Sequence, residues 1–297
     1  MNNLLFKALH FCSRVFGWLS RAINALSSKF APKDIRETLI RGSTRYDMVT
    51  APDEPYYAEQ YWRVMAPFLK NVFEKAQCLD LGCSQGRFSL QLAKHFPQGK
   101  VLGCDISEPA ITAARLNSDH AGLRNAEFRV GSIDQVLQSC DPVSQDVVLM
   151  TEVTFFYPNW REQMTQIMRV LRPKGLLAMS FRSQYFDALC LARGRSWHNL
   201  DMLLDQRQGT FFDSPVEYSW QTSTEIRSLL TRDHGLDLLD LFGIGVCSGI
   251  PADPHDYIVR PSSLDSHEQD QLMKLELELG RSIPDAGRYI LAIAQKK

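Results

Sequence analysis

The run Asp80-Leu81-Gly82-Cys83-Ser84-Gln85-Gly86-Arg87 sets a carboxylate beside a loop of small residues. Gly82 lets the backbone turn tightly. Gly86 lets a ligand approach a helix start, where free N–H groups and the helix dipole lie. The dinucleotide fingerprint Gly-x-Gly-x-x-Gly fails, because Ser84 and Arg87 fill two of its three glycine places. An acid ahead of the first glycine suits a cationic group better than a pyrophosphate. Asp105, 19 residues beyond Gly86, stands where a carboxylate accepts hydrogen bonds from both hydroxyls of a ribose. Thr151 and Glu152 follow a later apolar run and add a third acid in an equivalent place.

These residues need a frame of strands and helices. Cys78–Leu81, Lys100–Cys104, Glu127–Val130, Asp146–Met150 and Leu176–Phe181 read as strands. Between them, Phe88–Phe96, Glu108–Asn117 and Trp160–Leu171 have helical spacing, and Arg172-Pro173-Lys174-Gly175 reads as a breaker. A second block holds a helix over Ser223–Arg232, capped by Thr222 or Ser223 and ended by Gly235. Strands over Leu236–Phe242 and Tyr289–Ala294 follow. Gln271–Leu279 alternates like a strand, but its residue types favour helix. The alternation predicts an α/β protein with a parallel sheet covered on both faces, and puts the acids at the carboxyl ends of successive strands.

The ordered set resembles the class I S-adenosylmethionine-dependent methyltransferases over residues 60–182 and 222–297. Their first motif is an acid followed by three glycines at alternate positions; Asp80, Gly82 and Gly86 match, and Ser84 replaces the middle glycine. The resemblance implies a seven-stranded, mostly parallel doubly wound sheet with S-adenosylmethionine as cofactor. It implies that Asp80, Gly82, Ser84 and Gly86 build the pocket for the methionine end, and that Asp105 holds the ribose. Ile106 takes the place of the apolar residue against adenine. Ser132 and Ile133 fall where an adenine-contacting aspartate is expected, with Asp134 as a substitute. Thr151 and Glu152 lie beside the expected transfer centre.

Methyl transfer asks the protein to bring a nucleophile in line and, where necessary, to take its proton. Glu152, Tyr157, His198 and His255 are the candidate bases, alongside the reading that proximity alone suffices. The Asn/Asp-Pro-Pro-aromatic run of base and amide N-methyltransferases is missing; Glu152-Val-Thr-Phe-Phe-Tyr157 occupies its place. With the near-neutral charge, this favours a small or lipid-like acceptor over nucleic acid. Three aromatic-rich stretches are expected to cap the acceptor: Tyr46–Tyr61, Arg182–Gln221 and Gly243–Arg288. Two other readings stay open: a non-catalytic methyltransferase-like protein that binds the cofactor or a partner, and another nucleotide-dependent enzyme such as a dehydrogenase.

The chain has 297 residues, 44% of them hydrophobic, with 33 basic and 34 acidic side chains. Five of the basic ones (Lys7, Arg14, Arg21, Lys29 and Lys33) precede Asp34, the first acid, leaving 28 against 34 beyond it. On a helical wheel, residues 3–30 put Leu4, Phe11, Val15, Leu19 and Ile23 on one side and Lys7, Arg14 and Arg21 on the other. A cationic amphipathic helix of this kind suits a membrane surface, docking on the protein's own body, or a transit peptide. Organisation is read as that helix at 1–32, a helical lead-in and lid at 33–76, and a main domain at 77–297. The cap insertions fall at about 182–221 and 243–288. The seven cysteines show no CxxC spacing, so neither a metal site nor a disulfide framework is expected. A cytoplasmic location follows from that reading, with peripheral membrane contact through residues 1–30; the oligomeric state is not read.

Overall fold

The computed structural model describes residues 47–157, 160–210, 217–251 and 253–297. The amphipathic segment and residues 33–46 of the expected lead-in lie outside them. So do Phe211 and Phe212 of the first cap.

Five strands run parallel: β1 (Gln77–Leu81), β2 (Lys100–Asp105), β3 (Ala126–Val130), β4 (Gln145–Met150) and β5 (Leu171–Arg182). β8 (Asp237–Ile244) and β9 (Tyr289–Gln295) complete the sheet in the order β3-β2-β1-β4-β5-β9-β8, with β9 antiparallel to both its neighbours. The strand order reverses between β1 and β4, the switch point where open α/β sheets bind ligands.

Side chains alternate across the strands, so β1 and β4 feed two cores. Cys78, Val147 and Leu149 face the side of α1 (Glu54–Leu69), α2 (Ser89–His95) and α9 (Ser266–Ser282). Leu79, Leu81, Val148 and Met150 face the side of α4 (Ile133–Ser139), α5 (Trp160–Val170) and α8 (Ser223–Ser228). Burial on both faces is why these strands read as near-continuous apolar runs. α3 (Glu108–His120) starts at Ser107, whose hydroxyl accepts from the Ala110 N–H, and packs Ile111 and Ala114 beside β2 and β3.

Several expectations change in detail. The Arg172–Gly175 breaker does not precede β5 but lies within it. The pairing jumps from Gln145↔Leu171 to Val147↔Leu176, and Lys174 takes φ 63°, so the breaker bulges out of the ladder. Gln271–Leu279 is helical within α9, where the capping box of Asp265 and Glu268 starts the helix. Its alternating leucines do not form a strand, because Leu272, Met273, Glu276 and Gly280 are the positions turned inward. The Thr222 cap holds, reciprocated by Glu225, but after Ser228 the helix widens into a π turn over Leu229–Asp233.

The first cap is built from α6 (Gln184–Arg193), a 3-10 turn (Trp197–Asn199), α7 (Leu200–Asp205) and a ribbon of β6 (Gln208–Gly209) with β7 (Tyr218–Ser219). α1 is fastened to the second insertion at Glu276. One carboxylate oxygen of Glu276 accepts from Tyr56 Oη at 2.8 Å and Gln60 Nε2 at 3.2 Å. The other accepts from the Cys247 N–H and Ser248 Oγ, both at 2.8 Å. Residues 54–69 of the lead-in thus pack on the body, with Tyr57 and Tyr61 buried.

Candidate functional site

The glycine loop joins β1 to α2, and Asp80 ties its two ends. Asp80 Oδ2 accepts from Ser89 Oγ at 2.6 Å, binding the last turn of the strand to the first residue of the helix. Burial pushes the Asp80 pKa up to about 6, against the lowering effect of the Ser89 bonds. Its carboxylate orders the loop from inside the core.

Three residues of the loop, at alternate positions, take left-handed backbone: Gly82 at φ 78°, Ser84 at φ 48° and Gly86 at φ 88°. Ser84 stands in the middle place without being glycine, and its N–H donates to Asp105 Oδ2 at 3.0 Å. A hydrogen-bonded anchor holds a conformation that costs a non-glycine residue about 1–2 kcal/mol. At Gly82 a Cβ would lie 2.3 Å from Cγ2 of Val153, so the loop and the segment after β4 touch where only hydrogen fits.

Asp105 ends β2 with its carboxylate oriented by backbone. Oδ2 takes the Ser84 N–H, and Oδ1 takes the Ser107 N–H at 2.9 Å. Each oxygen keeps a lone pair for a further donor, as two adjacent ribose hydroxyls require. Burial raises the Asp105 pKa, and the bonds from Ser107 and Ser84 oppose the rise. Ile106, half-buried, follows it. Ser132 Oγ accepts from the Gln135 N–H, and its own N–H donates to Gln135 Oε1. It is the N-cap of α4, and Ile133 is buried behind it. The neighbouring Asp134 accepts from the Tyr157 hydroxyl at 2.6 Å.

At the end of β4, Thr151 is buried and Glu152 is held at φ 57°. The Glu152 N–H donates to Ser180 Oγ at 2.6 Å. Arg87 Nη1 lies 3.3 Å from the Glu152 carboxylate and 3.2 Å from that of Glu54 on α1. Glu54 and Arg87 are almost fully buried, and Glu152 nearly so. Two carboxylates thus share one guanidinium. A non-glycine residue in left-handed backbone beside a buried charge cluster is the kind of strain that collects at functional sites.

A second cluster spans the ends of β5 and β9. Arg182 Nε is 2.7 Å from Asp187 Oδ1, with its guanidinium 4.5 Å from the Phe186 ring. Arg288 Nε is 2.7 Å from Asp253 Oδ2 and stacks 5.2 Å from the Tyr57 ring. Burial disfavours both cations, but the paired aspartates more than offset it and raise both pKa values. His255 is buried with its ring 5.9 Å from that of Phe186. Burial pushes its pKa down despite a bond to the Val246 backbone, so it stands neutral at pH 7. His198, by contrast, is exposed in the 3-10 turn of the cap. Among the four candidate bases, then, Glu152 lies in the triad, Tyr157 is tied to Asp134, and His255 joins the second cluster.

Sequence reasoning passed over Glu54, Arg87, Arg182, Asp187, Gln221 and Arg288. Three of them carried a signal: Arg87 follows Gly86, Arg182 closes a strand, and Arg288 opens one. Glu54, Asp187 and Gln221 had none, since their burial depends on distant segments. Among the described residues no cluster of metal-ligating side chains occurs, and no helix is long and apolar enough to cross a membrane.

Residues 73–207 match a family model described as a methyltransferase domain. A tRNA (guanine-N(7)-)-methyltransferase of Synechocystis is 29% identical over 131 residues, 41% of this chain and 60% of that protein. A trans-aconitate 2-methyltransferase of Deinococcus radiodurans is 33% identical over 113 residues, 38% of this chain and 40% of that protein. The chain therefore matches less than two thirds of the length of either relative. A crystal structure of an S-adenosylmethionine-dependent methyltransferase of Methanosarcina mazei aligns with a TM-score of 0.51 at 21% identity. That alignment covers 77% of this chain and 97% of that one, and it bears on the fold.

Proposed function

The chain carries a methyltransferase domain of the class I fold, and we propose that it transfers a methyl group from S-adenosylmethionine to a small-molecule or lipid-like acceptor. The observation that carries this reading is the loop of alternating left-handed residues locked to a ribose-ready carboxylate by the Ser84–Asp105 bond. When bound, S-adenosylmethionine supplies a methyl group on a positively charged sulfur.

The chain's own residues then divide the work. Gly82, Ser84 and Gly86 shape the cradle for the amino-acid end, and Asp80 keeps it in shape. Asp105 accepts from the ribose hydroxyls, and Ile106 and Ile133 flank the base. Ser132 serves as the cap that fixes the start of α4. Thr151 and Glu152 line the transfer centre. The segment after β4 is pinned rather than free: Thr154 Oγ1 donates to the Ser180 carbonyl at 2.7 Å, and Ser219 Oγ to the Thr154 carbonyl at 2.8 Å. A fixed wall of this kind orients an acceptor without further ordering.

Support for a small acceptor comes from the strand ends, where Phe155, Phe186, Arg288 and Tyr289 are buried. A nucleic-acid acceptor is the second reading, favoured by the tRNA methyltransferases among the relatives. Calorimetric titration with S-adenosylmethionine and S-adenosylhomocysteine should show binding, and titration with NADH none. Label from the methyl group should then enter small molecules or lipids of a cell extract rather than tRNA. No binding of either sulfur compound at about 1 mM would sink the reading.

A further inference from the structure

The second cluster has a chemistry that the cofactor does not use. Three of its side chains are more than nine-tenths buried and carry polar atoms without a hydrogen-bond partner: Asp187 Oδ2, Gln221 Oε1 and Nε2, and His255 Nδ1. Native proteins leave few buried polar atoms unpaired, because each costs about 1–3 kcal/mol. Several in one place point to a polar partner.

The segments that carry them adjoin one another. Ser183 bridges to Gln221, and the Gln221 N–H donates to the Arg182 carbonyl at 2.9 Å. Asp187 sits one turn into α6, held by Arg182. Phe186, beside Asp187 in sequence, touches both the Arg182 guanidinium and the His255 ring. All of this surrounds the carboxyl end of β5 and the start of β9, on the acceptor side of the strand ends.

The unpaired atoms define what fits. Asp187 Oδ2 accepts only. His255 Nδ1, also without a partner, accepts when the ring carries its proton on Nε2. The Gln221 amide accepts at one atom and donates at the other. A matching ligand offers several donors and at least one acceptor, as a set of hydroxyl groups does. Charge narrows the choice. Arg182 is matched by Asp187 and Arg288 by Asp253, one to one. A carboxylate or phosphate would face Asp187, and an ammonium would face two guanidinium groups, each with no countercharge left over. The rings of Phe155, Phe186 and Tyr289 around Arg182 supply an apolar wall.

We infer that the cluster of Asp187, Gln221 and His255 recognises the acceptor, and that the acceptor is an uncharged small molecule bearing hydroxyl groups. This rests on the methyltransferase reading, and the experiment separates the two. A cell extract is split by ion exchange into anionic, cationic and neutral small-molecule fractions, with tRNA kept apart. Each is incubated with the full-length protein and methyl-labelled S-adenosylmethionine. Label in the neutral fraction is expected. Label confined to the anionic, cationic or tRNA fraction overturns the inference and leaves the methyltransferase standing. Label in no fraction, with no binding of S-adenosylhomocysteine, overturns both. Thermal shift gives a second readout, with stabilisation expected from the neutral fraction in the presence of S-adenosylhomocysteine. Gln221→Leu and, separately, His255→Gln should each cut labelling of the neutral fraction by about tenfold or more while leaving S-adenosylhomocysteine affinity intact. Equal labelling by both variants and the native protein would also overturn the inference.

Discussion

Replacing Asp105 with Ala tests the centre of the proposed site. Its carboxylate accepts two backbone N–H groups, from Ser84 at 3.0 Å and Ser107 at 2.9 Å, and keeps one lone pair on each oxygen for a ribose hydroxyl. Each hydrogen bond to a charged acceptor contributes about 1.5–3 kcal/mol. Taking the lower value for two hydroxyls gives about 3 kcal/mol, a weakening of about 100-fold. Asp105→Asn should fall between, because an amide has one oxygen for two N–H groups arriving at opposite ends. Calorimetry with S-adenosylhomocysteine measures each affinity. A cofactor analogue lacking the ribose 2′-hydroxyl completes a double-mutant cycle, and the penalties of variant and analogue should be far from additive. The pH dependence carries a sign of its own. Burial raises the Asp105 pKa, so the carboxylate loses its charge at a higher pH than an ordinary one as the solution is acidified. Native affinity should fall with it, and the Asn variant should show no such fall. Affinity within about threefold of native for both variants, or additive penalties in the cycle, refutes the ribose role.

Asp80 has a folded pKa of about 6, above the usual aspartate value of about 3.9. Its contribution to stability is present in full below the unfolded pKa and is lost as pH rises through about 6. Asp80→Asn, which keeps an oxygen for Ser89, should therefore gain on the native protein by about 2 kcal/mol between pH 4 and pH 7. Urea unfolding at each pH measures it, and parallel profiles would exclude burial as the cause. Glu276→Ala strands four donors and should cost at least about 3 kcal/mol in the same assay. In that background, Tyr56→Phe should then cost almost nothing; an undiminished cost would mean that the two residues are not coupled. Deleting residues 1–30 should abolish a salt-sensitive affinity for anionic lipid vesicles, and unchanged vesicle binding would assign that affinity to the body.

The central sheet was legible because a strand buried on both faces leaves a plain mark. Val147-Val148-Leu149-Met150 has no polar interruption, and a helix of apolar period follows each such run. The β5 start was misplaced because Arg172-Pro173-Lys174-Gly175 is locally a breaker. Only pairing with Gln145 on one side of the bulge and Val147 on the other draws it into a strand. Gln271–Leu279 could be read two ways, since its leucines alternate; its residue types favoured helix, and the Asp265–Glu268 capping box upstream starts it. The caps were legible only as aromatic-rich insertions, because short elements such as β6 and β7 depend on tertiary contacts more than on pattern.

The two halves of the candidate site differed for a related reason. The loop half is local: Asp80 and Ser89, or Ser84 and Asp105, are linked across one strand–helix unit, so motif spacing carries the geometry. The Ser132 cap is local too, since Gln135 three residues on marks a capping box. The acceptor half is assembled from far-apart segments. Glu54, Arg87 and Glu152 come from α1, the loop and the end of β4, and Arg288 meets Asp253 across the second insertion. An ion pair needs a register as well as two charges, and a chain with 33 basic and 34 acidic residues offers far too many pairings to choose among. A useful sign does survive in the sequence. An arginine at the carboxyl end of a buried parallel strand, or at the start of its antiparallel neighbour, stands where solvation is poor and needs a partner. Arg182 and Arg288 occupy those two places, opposite each other at the edge of the Arg182↔Tyr289 pairing. Charges so placed constrain the ligand by being already matched, which is why the cluster favours a neutral acceptor even though it holds two arginines.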